Sequence, residues 1–315
     1  MPAVANSNPL DRRLAALYSV EDDPGSAIEK LPAFFRDKSN IVVAKAANMA
    51  VRLEATGLAA ELAQSFAPML KSDPGCVALV AIVKALITFD APAAEVYFRG
   101  LRHVQWEPSF GKSVEVAGEL RGLCARGIAR MGHPEALREL LPLLADTVPA
   151  RIGAVKAIAE TGKPEGELLL RLHVIHGDGD AEVIGECFTA LLGLTPQRSL
   201  PFVAEYLSSG SDEVAEMAAL ALGETRMTDA FPVLRDALQG PLSGSVRRAV
   251  LLALAMLRRE EALDHLVSVL EEHGAEVITA LAIHKSDAAL RERVAAKLKQ
   301  LDSSRLNELF AREWG

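Results

Sequence analysis

Apolar residues over Leu120–Asp146 recur at the spacing of two short helices that are separated by a break at Met131–Pro134. Within each helix they lie three or four positions apart, which places them on one face. Gly132 and Pro134 at the break are residues that end helices. The first helix carries Cys124, Gly127 and Ile128, and the second carries Leu137, Leu140 and Leu144.

The same pattern returns four times towards the C-terminus, at separations of 30, 33, 31 and 32 residues. Small apolar residues stand four and seven positions after each anchor, and a larger aliphatic residue stands eight positions after it. A fixed period of roughly 20–50 residues is typical of a solenoid. The anchors are Leu120, Ala150, Val183, Val214 and Val246.

A single helical hairpin cannot bury its own apolar face, so such hairpins stack on one another. The segments LRGLCARGIARMGHPEALRELL and VAEMAALALGETRMTDAFPVL resemble HEAT repeats of the short bacterial form, also called the phycobilisome-lyase HEAT-like repeat. The resemblance covers about 150 residues well and most of the remainder loosely. It implies an all-α fold, an α-α superhelix or right-handed solenoid of about eight to nine hairpins, that serves as a binding scaffold.

The register predicts a single HEAT-like solenoid at residues 10–315, preceded by a disordered tail at residues 1–9. An N-terminal cap hairpin spans 10–39, the repeats span 40–274, and C-terminal cap helices span 275–315. Short polar side chains before the helical segments are expected to act as N-caps. These residues are Asp11, Asp180, Asp212 and Ser243 or Ser245.

Composition narrows the choice of partner. The 315 residues carry a net charge of −8, with 5% aromatic residues. Nucleic-acid binders normally display a basic patch, whereas acidic residues here interleave most basic clusters. We therefore expect a protein or peptide partner, with nucleic acid unlikely.

The three cysteines favour a reducing compartment. Cys124 and Cys187 occupy the small position of the repeat, where a free thiol behaves as a small hydrophobe. The N-terminal segment has no continuous apolar stretch typical of a signal peptide, and the longest apolar run, Ala249–Leu257, is too short to span a membrane. We expect a cytoplasmic protein without membrane contact, and take a monomer as the default state.

One interval breaks the period. Ala78 to Leu120 is 42 residues, and the extra stretch at 102–113 contains Trp106 and Phe110. Segments that interrupt a solenoid often carry function, which makes these two aromatic residues candidates for partner binding. The alternative is a longer first helix beginning near Ser113, with Trp106 packed on the preceding layer.

No metal or cofactor is expected. His173, His176, Asp178 and Asp180 lie close in sequence and could form a metal site. Helix ends explain them better, because a histidine suits a helix C-terminus and an aspartate suits an N-cap.

Three HEAT-like enzyme classes offer alternatives to a scaffold. Di-iron hydroxylases need several His and Glu ligands at fixed spacing, and the sequence contains no His-Glu dipeptide. DNA glycosylases need a basic surface and aromatic side chains for a flipped nucleotide. A bilin lyase has no local motif to recognise. A bilin lyase or a DNA glycosylase remains the alternative to a non-enzymatic scaffold.

The second helices of the repeats suggest a binding strip. The resemblance implies that they line the concave surface, and positions 19 and 22 after each anchor point away from the main apolar face. Apolar residues at these positions in the middle repeats, with acidic residues beside them, predict a groove for a peptide or helix. Packing between adjacent second helices is the competing interpretation. The candidate residues are Glu139, Leu169, Leu172, Phe202, Glu205, Val233, Asp236 and His265.

Overall fold

The computed structural model describes residues 8–21 and 24–315, and helices account for most of them. The predicted all-α class is confirmed. The helices are α1 (Pro9–Glu21), α2 (Pro24–Phe35), α3 (Asn40–Arg52), α4 (Ala59–Met69), α5 (Val77–Thr88), α6 (Ala94–Leu101), α7 (Gly118–Arg130), α8 (Ala136–Leu140), α9 (Val148–Glu160), α10 (Pro164–His176), α11 (Ala181–Leu194), α12 (Pro196–Ala204), α13 (Asp212–Glu224), α14 (Ala230–Leu238), α15 (Gly244–Met256), α16 (Glu260–Ser268), α17 (Leu270–Leu281), α18 (Ala288–Leu301) and α19 (Ser304–Trp314).

One β-hairpin interrupts the helices between α6 and α7. Strand β1 (Trp106–Ser109) pairs antiparallel with strand β2 (Lys112–Glu115), and Ser109 lies opposite Lys112. The described residues form two compact units, the first ending at Gly166 and the second beginning at Glu167. The single solenoid over 10–315 stays a prediction.

The repeat register accounts for the core of both units. The residues four and eight positions after every anchor are fully buried, from Cys124 and Ile128 to Val250 and Leu254. In the second helices most of the expected apolar positions are also buried, although Leu137 and Leu238 are half-buried, and one repeat shows a change of phase. After α8 the chain continues as a 3₁₀ turn at Leu141–Ala145, so Leu143 rather than Leu144 is buried. The tighter winding of a 3₁₀ turn explains this shift.

First helices of consecutive repeats approach closely enough for their backbones to touch. A side chain at Gly122 of α7 would meet the backbone of Pro149 and Gly153 at 2.9–3.0 Å. In the second unit, a Cβ at Gly223 of α13 would lie 2.6 Å from the Cα of Ala253 in α15. The small residues of the repeat therefore set the distance between layers.

Helix ends follow the sequence closely, with two corrections. Asp180 and Ser243 cap α11 and α15 as predicted. Asp212 does not cap α13, because the side chain of Ser211 accepts the bond from the Val214 amide. Asp11 also fails as a cap, since it lies inside the first turn of α1.

The termini are described in part. Residues 1–7 of the predicted tail lie outside the described residues, and Pro9 already belongs to α1. Two helices, α18 and α19, lie at the C-terminal end, with Asp287 and Ser303 as their N-caps, and their role as caps of the repeat array stays a prediction. Among the described helices, none combines the length and the apolar character needed to cross a membrane.

Candidate functional site

The strip proposed on the second helices divides into two rows. Position 19 after the anchor is half-buried in all five registered repeats, and position 22 is exposed in all five. Only the second row is open to a partner over its whole length. The half-buried row is Glu139, Leu169, Phe202, Val233 and His265, and the exposed row is Pro142, Leu172, Glu205, Asp236 and Ser268.

Several residues of the strip are already engaged within the protein. Glu139 forms a 2.8 Å ion pair with Arg102, and Asp236 pairs with Arg235 at 2.7 Å. His265 packs edge-on against Phe231 with ring centroids 6.1 Å apart. Burial, and then the charge of Arg235, lowers the pKa of His265, so the neutral imidazole is favoured. These contacts support the interpretation that position 19 packs between second helices.

Phe202 is partly covered by Arg171, which belongs to an ionic cluster around the buried Glu167. Glu167 occupies a position that is apolar in the other repeats, and it is 5% exposed. Arg171 donates to Glu167 at 2.9 Å and stacks over the Phe202 ring at 4.5 Å. Arg198 approaches the same carboxylate at 3.5 Å. Glu167 therefore positions Arg171, which shields the aromatic face that was expected to be open.

The exposed apolar side chains lie instead on one face of α10. Leu168, Leu172 and Ile175 are 65%, 64% and 67% exposed. Their i, i+4, i+7 spacing aligns them on a single stripe of the helix. We call these three residues the α10 stripe. Leu172 belonged to the predicted strip, whereas Leu168 and Ile175 did not.

The repeat register shows that the α10 stripe is specific to one copy. Its residues stand 18, 22 and 25 positions after the anchor, and these positions are exposed in all five registered repeats. In the other four copies none of them holds a large apolar residue. They read Arg138, Pro142 and Ala145; Pro201, Glu205 and Ser208; Pro232, Asp236 and Gln239; and Asp264, Ser268 and Glu271.

The insertion at 102–113 forms the outer part of the β-hairpin. The alternative of a longer first helix that begins near Ser113 is wrong, because α7 begins only at Gly118. The role of Trp106 and Phe110 in partner binding stays a prediction. Trp106 is 64% exposed and does not pack on the preceding layer, while the Phe110 side chain is fully exposed at the turn. Phe110 and Gly111 both have positive φ angles, of 42° and 81°. This matches the two-residue type I′ turn that favours right-twisted hairpins.

A buried arginine fixes the base of the hairpin. The guanidinium of Arg121 donates to both oxygens of Glu115, at 3.0 and 2.8 Å, and to both oxygens of Asp146, at 2.8 and 2.7 Å. It also donates to the carbonyl oxygen of His103 at 2.8 Å. Burial alone would lower the pKa of Arg121, but these two carboxylates raise it, so its charge is secure. The hairpin is therefore held to α7 rather than loosely tethered.

Side chains in and beside the hairpin also bind the segment just before α5, within the same compact unit. The Gly75 amide donates to Glu107 at 2.7 Å, and Gln105 donates to the carbonyl oxygen of Asp73 at 2.9 Å. Burial raises the pKa of Glu115, but hydrogen bonds from Arg121 and two backbone amides leave it below its ordinary value.

The histidine and aspartate cluster serves local structure. His173 lies 3.0 Å from Asp178, which in turn accepts from the Asp180 amide at 2.9 Å. Asp180 accepts from the Glu182 amide at 3.0 Å and so caps α11. Across residues 8–21 and 24–315, no three His, Cys, Asp or Glu residues are grouped to hold a metal ion.

The cysteines occupy the interior, as their register predicted. Cys124 and Cys187 are fully buried, and burial strongly raises the pKa of each thiol. Cys76 is also buried, and its pKa is raised to about 12, chiefly by desolvation. A thiolate is the reactive form, so none of the three is suited to nucleophilic chemistry.

Helical hairpins stacked on buried small residues at a fixed period define an α-helical repeat protein. Residues 200–285 match the family model of HEAT repeats, so the resemblance to HEAT repeats is confirmed there. No curated protein matches the sequence significantly.

Several solved structures contain chains that are similar to this one. One is the complex of CpcE and CpcF of phycocyanin lyase from Nostoc sp. PCC7120, at 16% identity over 76% of this chain and 94% of that one, with a TM-score of 0.41. Another is human deoxyhypusine hydroxylase in complex with glycerol, at 18% identity over 81% and 92% of the two chains, with a TM-score of 0.32. An engineered protein matches at 17% identity over 95% and 91%, with a TM-score of 0.37.

Proposed function

We propose that this protein is a non-enzymatic helical-repeat scaffold that binds a protein partner, and that the α10 stripe is the centre of the binding surface. The observation that supports this is the register comparison. Positions 18, 22 and 25 are exposed in every registered repeat, and only α10 fills them with large aliphatic residues. The repeat fold does not require large apolar side chains at positions 18, 22 and 25, since the other four repeats have none at these positions.

The spacing of the stripe favours a helical partner. Leu168, Leu172 and Ile175 span two turns of α10, and an amphipathic helix offers anchors at the same spacing. Covering each of these side chains contributes roughly 1–2 kcal/mol, given that about two-thirds of each is exposed. Glu205 holds the position in the next repeat that Leu172 holds in α10. Basic residues on the partner would therefore add charge complementarity at the edge of the binding surface.

Catalysis finds less support than binding. The buried thiols have raised pKa values, and His173 and Asp178 are engaged with each other. The net charge of −8 also favours a protein over a nucleic acid as the partner.

The test is affinity capture with the full chain, followed by identification of the captured proteins. The variant L168E/L172E/I175E places three acids on the stripe. The matched control P232E/Q239E, with Asp236 already present, places the same row of acids at the same register positions of α14. We expect the first variant to lose the partner and the control to keep it.

Both variants should retain wild-type circular dichroism and melting temperature, because all the altered side chains are exposed. Equal recovery of the partner by wild type and the α10 variant would overturn the assignment of the stripe.

A further inference from the structure

The second unit contains an open groove between α15, α17 and α19, with a volume of about 760 Å³. Volumes of roughly 300–1,000 Å³ are typical of sites for small organic ligands. The groove is distinct from the α10 stripe, since none of its lining residues belongs to α10.

The seating of α19 creates the groove. Leu306 lies over Gly274 of α17, where a Cβ would come within 2.7 Å of the leucine side chain. At the other end of α19, Trp314 is buried and its indole N–H donates to the carbonyl oxygen of Ile278 at 3.4 Å. Two fixed contacts therefore hold α19 against α17.

The floor of the groove is apolar because the residues facing it are small or aliphatic. Ala275 and Ala280 of α17 leave space that larger side chains would fill, and Leu252 and Leu309 close the two sides. Thr279 is the remaining uncharged lining residue, and it is exposed.

The rim carries an excess of positive charge in an acidic protein. Arg248, Arg305 and Arg312 line it together with Glu276 and Glu308. Arg247 donates to Glu276 at 2.8 Å, and this bond lowers the pKa of that carboxyl. The charges of Arg247 and Glu276 therefore balance each other. Among the described residues, no carboxylate comes within ion-pairing distance of Arg305.

We infer that this groove binds a small organic anion with a compact apolar body, such as a carboxylate, sulfonate or phosphate attached to an acyl or aryl group. The apolar body would lie on Leu252, Ala275, Ala280 and Leu309. The anionic group would accept hydrogen bonds chiefly from Arg305, since a guanidinium group presents paired donors that match such oxyanions. Arg312 lies beside it but already pairs with Glu313 at 3.1 Å, so it would contribute mainly charge. A cation would meet three guanidinium groups at the rim and is disfavoured.

The experiment uses the fluorescent sulfonate 8-anilinonaphthalene-1-sulfonate as the probe and the full chain in the L168E/L172E/I175E background, so that the α10 stripe cannot contribute. We expect one saturable site that octanoate displaces and that octanol, its neutral counterpart, displaces far less. N-phenyl-1-naphthylamine, which lacks the sulfonate, should bind more weakly by roughly tenfold or more.

Two variants separate the groove from general electrostatics. R305E/R312E removes two guanidinium groups from the rim and should lower the affinity for the sulfonate probe by roughly tenfold or more. R291E/K299E makes the same change of charge on exposed residues of α18 and should leave binding unchanged. T279W should block the site by placing an indole ring in the groove, with helicity checked by circular dichroism.

Three outcomes would overturn the inference. The first is the absence of a saturable site, and the second is equal affinity for the charged and neutral naphthylamines. The third is an equal loss of affinity for the sulfonate probe in the two charge-reversal variants. The inference does not depend on the proposed scaffold function, since a failure at α10 leaves the groove and its probe unaffected.

Discussion

Gly122 of α7 and Gly153 of α9 face each other so closely that no side chain fits between them. A Cβ built on Gly122 would lie 3.0 Å from the Cα of Gly153 and 2.9 Å from the carbonyl oxygen of Pro149. Because the obstacle is backbone rather than a flexible side chain, the two helices would have to separate to admit a methyl group. This contact sets the spacing of two consecutive repeats.

Replacing Gly153 with Ala should therefore destabilise the protein by about 1–3 kcal/mol despite the higher helix propensity of alanine. The matched control is Gly193→Ala in α11, where a Cβ meets nothing within 4 Å. That change should stabilise by roughly 0.5–1 kcal/mol. Urea unfolding of both variants provides the measurement. A neutral Gly153→Ala would mean that the two helices are not held at the observed distance.

Removal of Arg121 should be costly because it leaves two carboxylates without their common partner. Arg121→Ala should destabilise the protein by about 3–5 kcal/mol, since the side chains of Arg121 and Glu115 are 5% and 7% exposed. Lys84→Ala, which breaks the exposed pair with Glu119, should cost less than about 1 kcal/mol. Chemical denaturation measures the free energy of unfolding of both variants. A similarly small loss of stability in both would show that the Arg121 cluster is solvated.

Cys124 and Cys187 should resist thiol reagents while the protein is folded. Burial raises the pKa of both thiols, and both side chains are fully buried. Labelling with a coloured disulfide reagent should become rapid only in denaturant. Cys124→Leu should also cost about 1–3 kcal/mol by overpacking against Gly100. Fast labelling of the native protein would contradict the burial of these thiols.

Phe110 should be dispensable for stability. Its side chain is fully exposed and its φ of 42° is unfavourable for a phenylalanine. Phe110→Asn creates the Asn-Gly pair that type I′ turns prefer, so the variant should be as stable as the wild type or more stable by up to about 1 kcal/mol. Thermal unfolding checks this. A clear loss of stability would reveal a packing role for the ring.

The sequence was sufficient for the repeating core because the interior of each repeat depends on local spacing. The positions of Cys124, Ile128 and their equivalents need only a helical face that meets a copy of itself. N-caps at Asp180 and Ser243 follow from short-range chemistry in the same way. The error at Asp212 was a shift of one residue to Ser211, within the usual uncertainty of helix ends.

The features that the sequence did not reveal depend on partners distant in the chain. In the sequence, Arg121 looks like one member of a basic cluster with Arg126 and Arg130. Its burial can be recognised only when the fold brings Glu115 and Asp146 to the same guanidinium group. The hairpin was missed because Pro108 and the charged residues around it obscure the alternation of a strand. Phe110-Gly111 was the available signal, although a phenylalanine is rare at the first turn position.

The binding strip stays a prediction, although only one of its two rows of residues is exposed. Positions 19 and 22 were chosen from an idealised helix, and position 19 is half-buried by packing that the sequence does not display. Comparing positions 18 and 25 across the five registered repeats would have identified Leu168 and Ile175 directly. Whether any of the ten candidate residues contacts a partner stays a prediction.

The attachment of the hairpin to Arg121 has a consequence for folding cooperativity. A two-stranded hairpin alone is marginally stable in water. This hairpin is stabilised by Arg121 of α7, which donates to Glu115. When α7 unfolds, Glu115 loses its partner and the hairpin loses its shape in the same event. Trp106 and Phe110 are thus displayed only by a molecule in which the repeat that begins with α7 is intact, and a partner that recognised them would recognise the folded state at the same time.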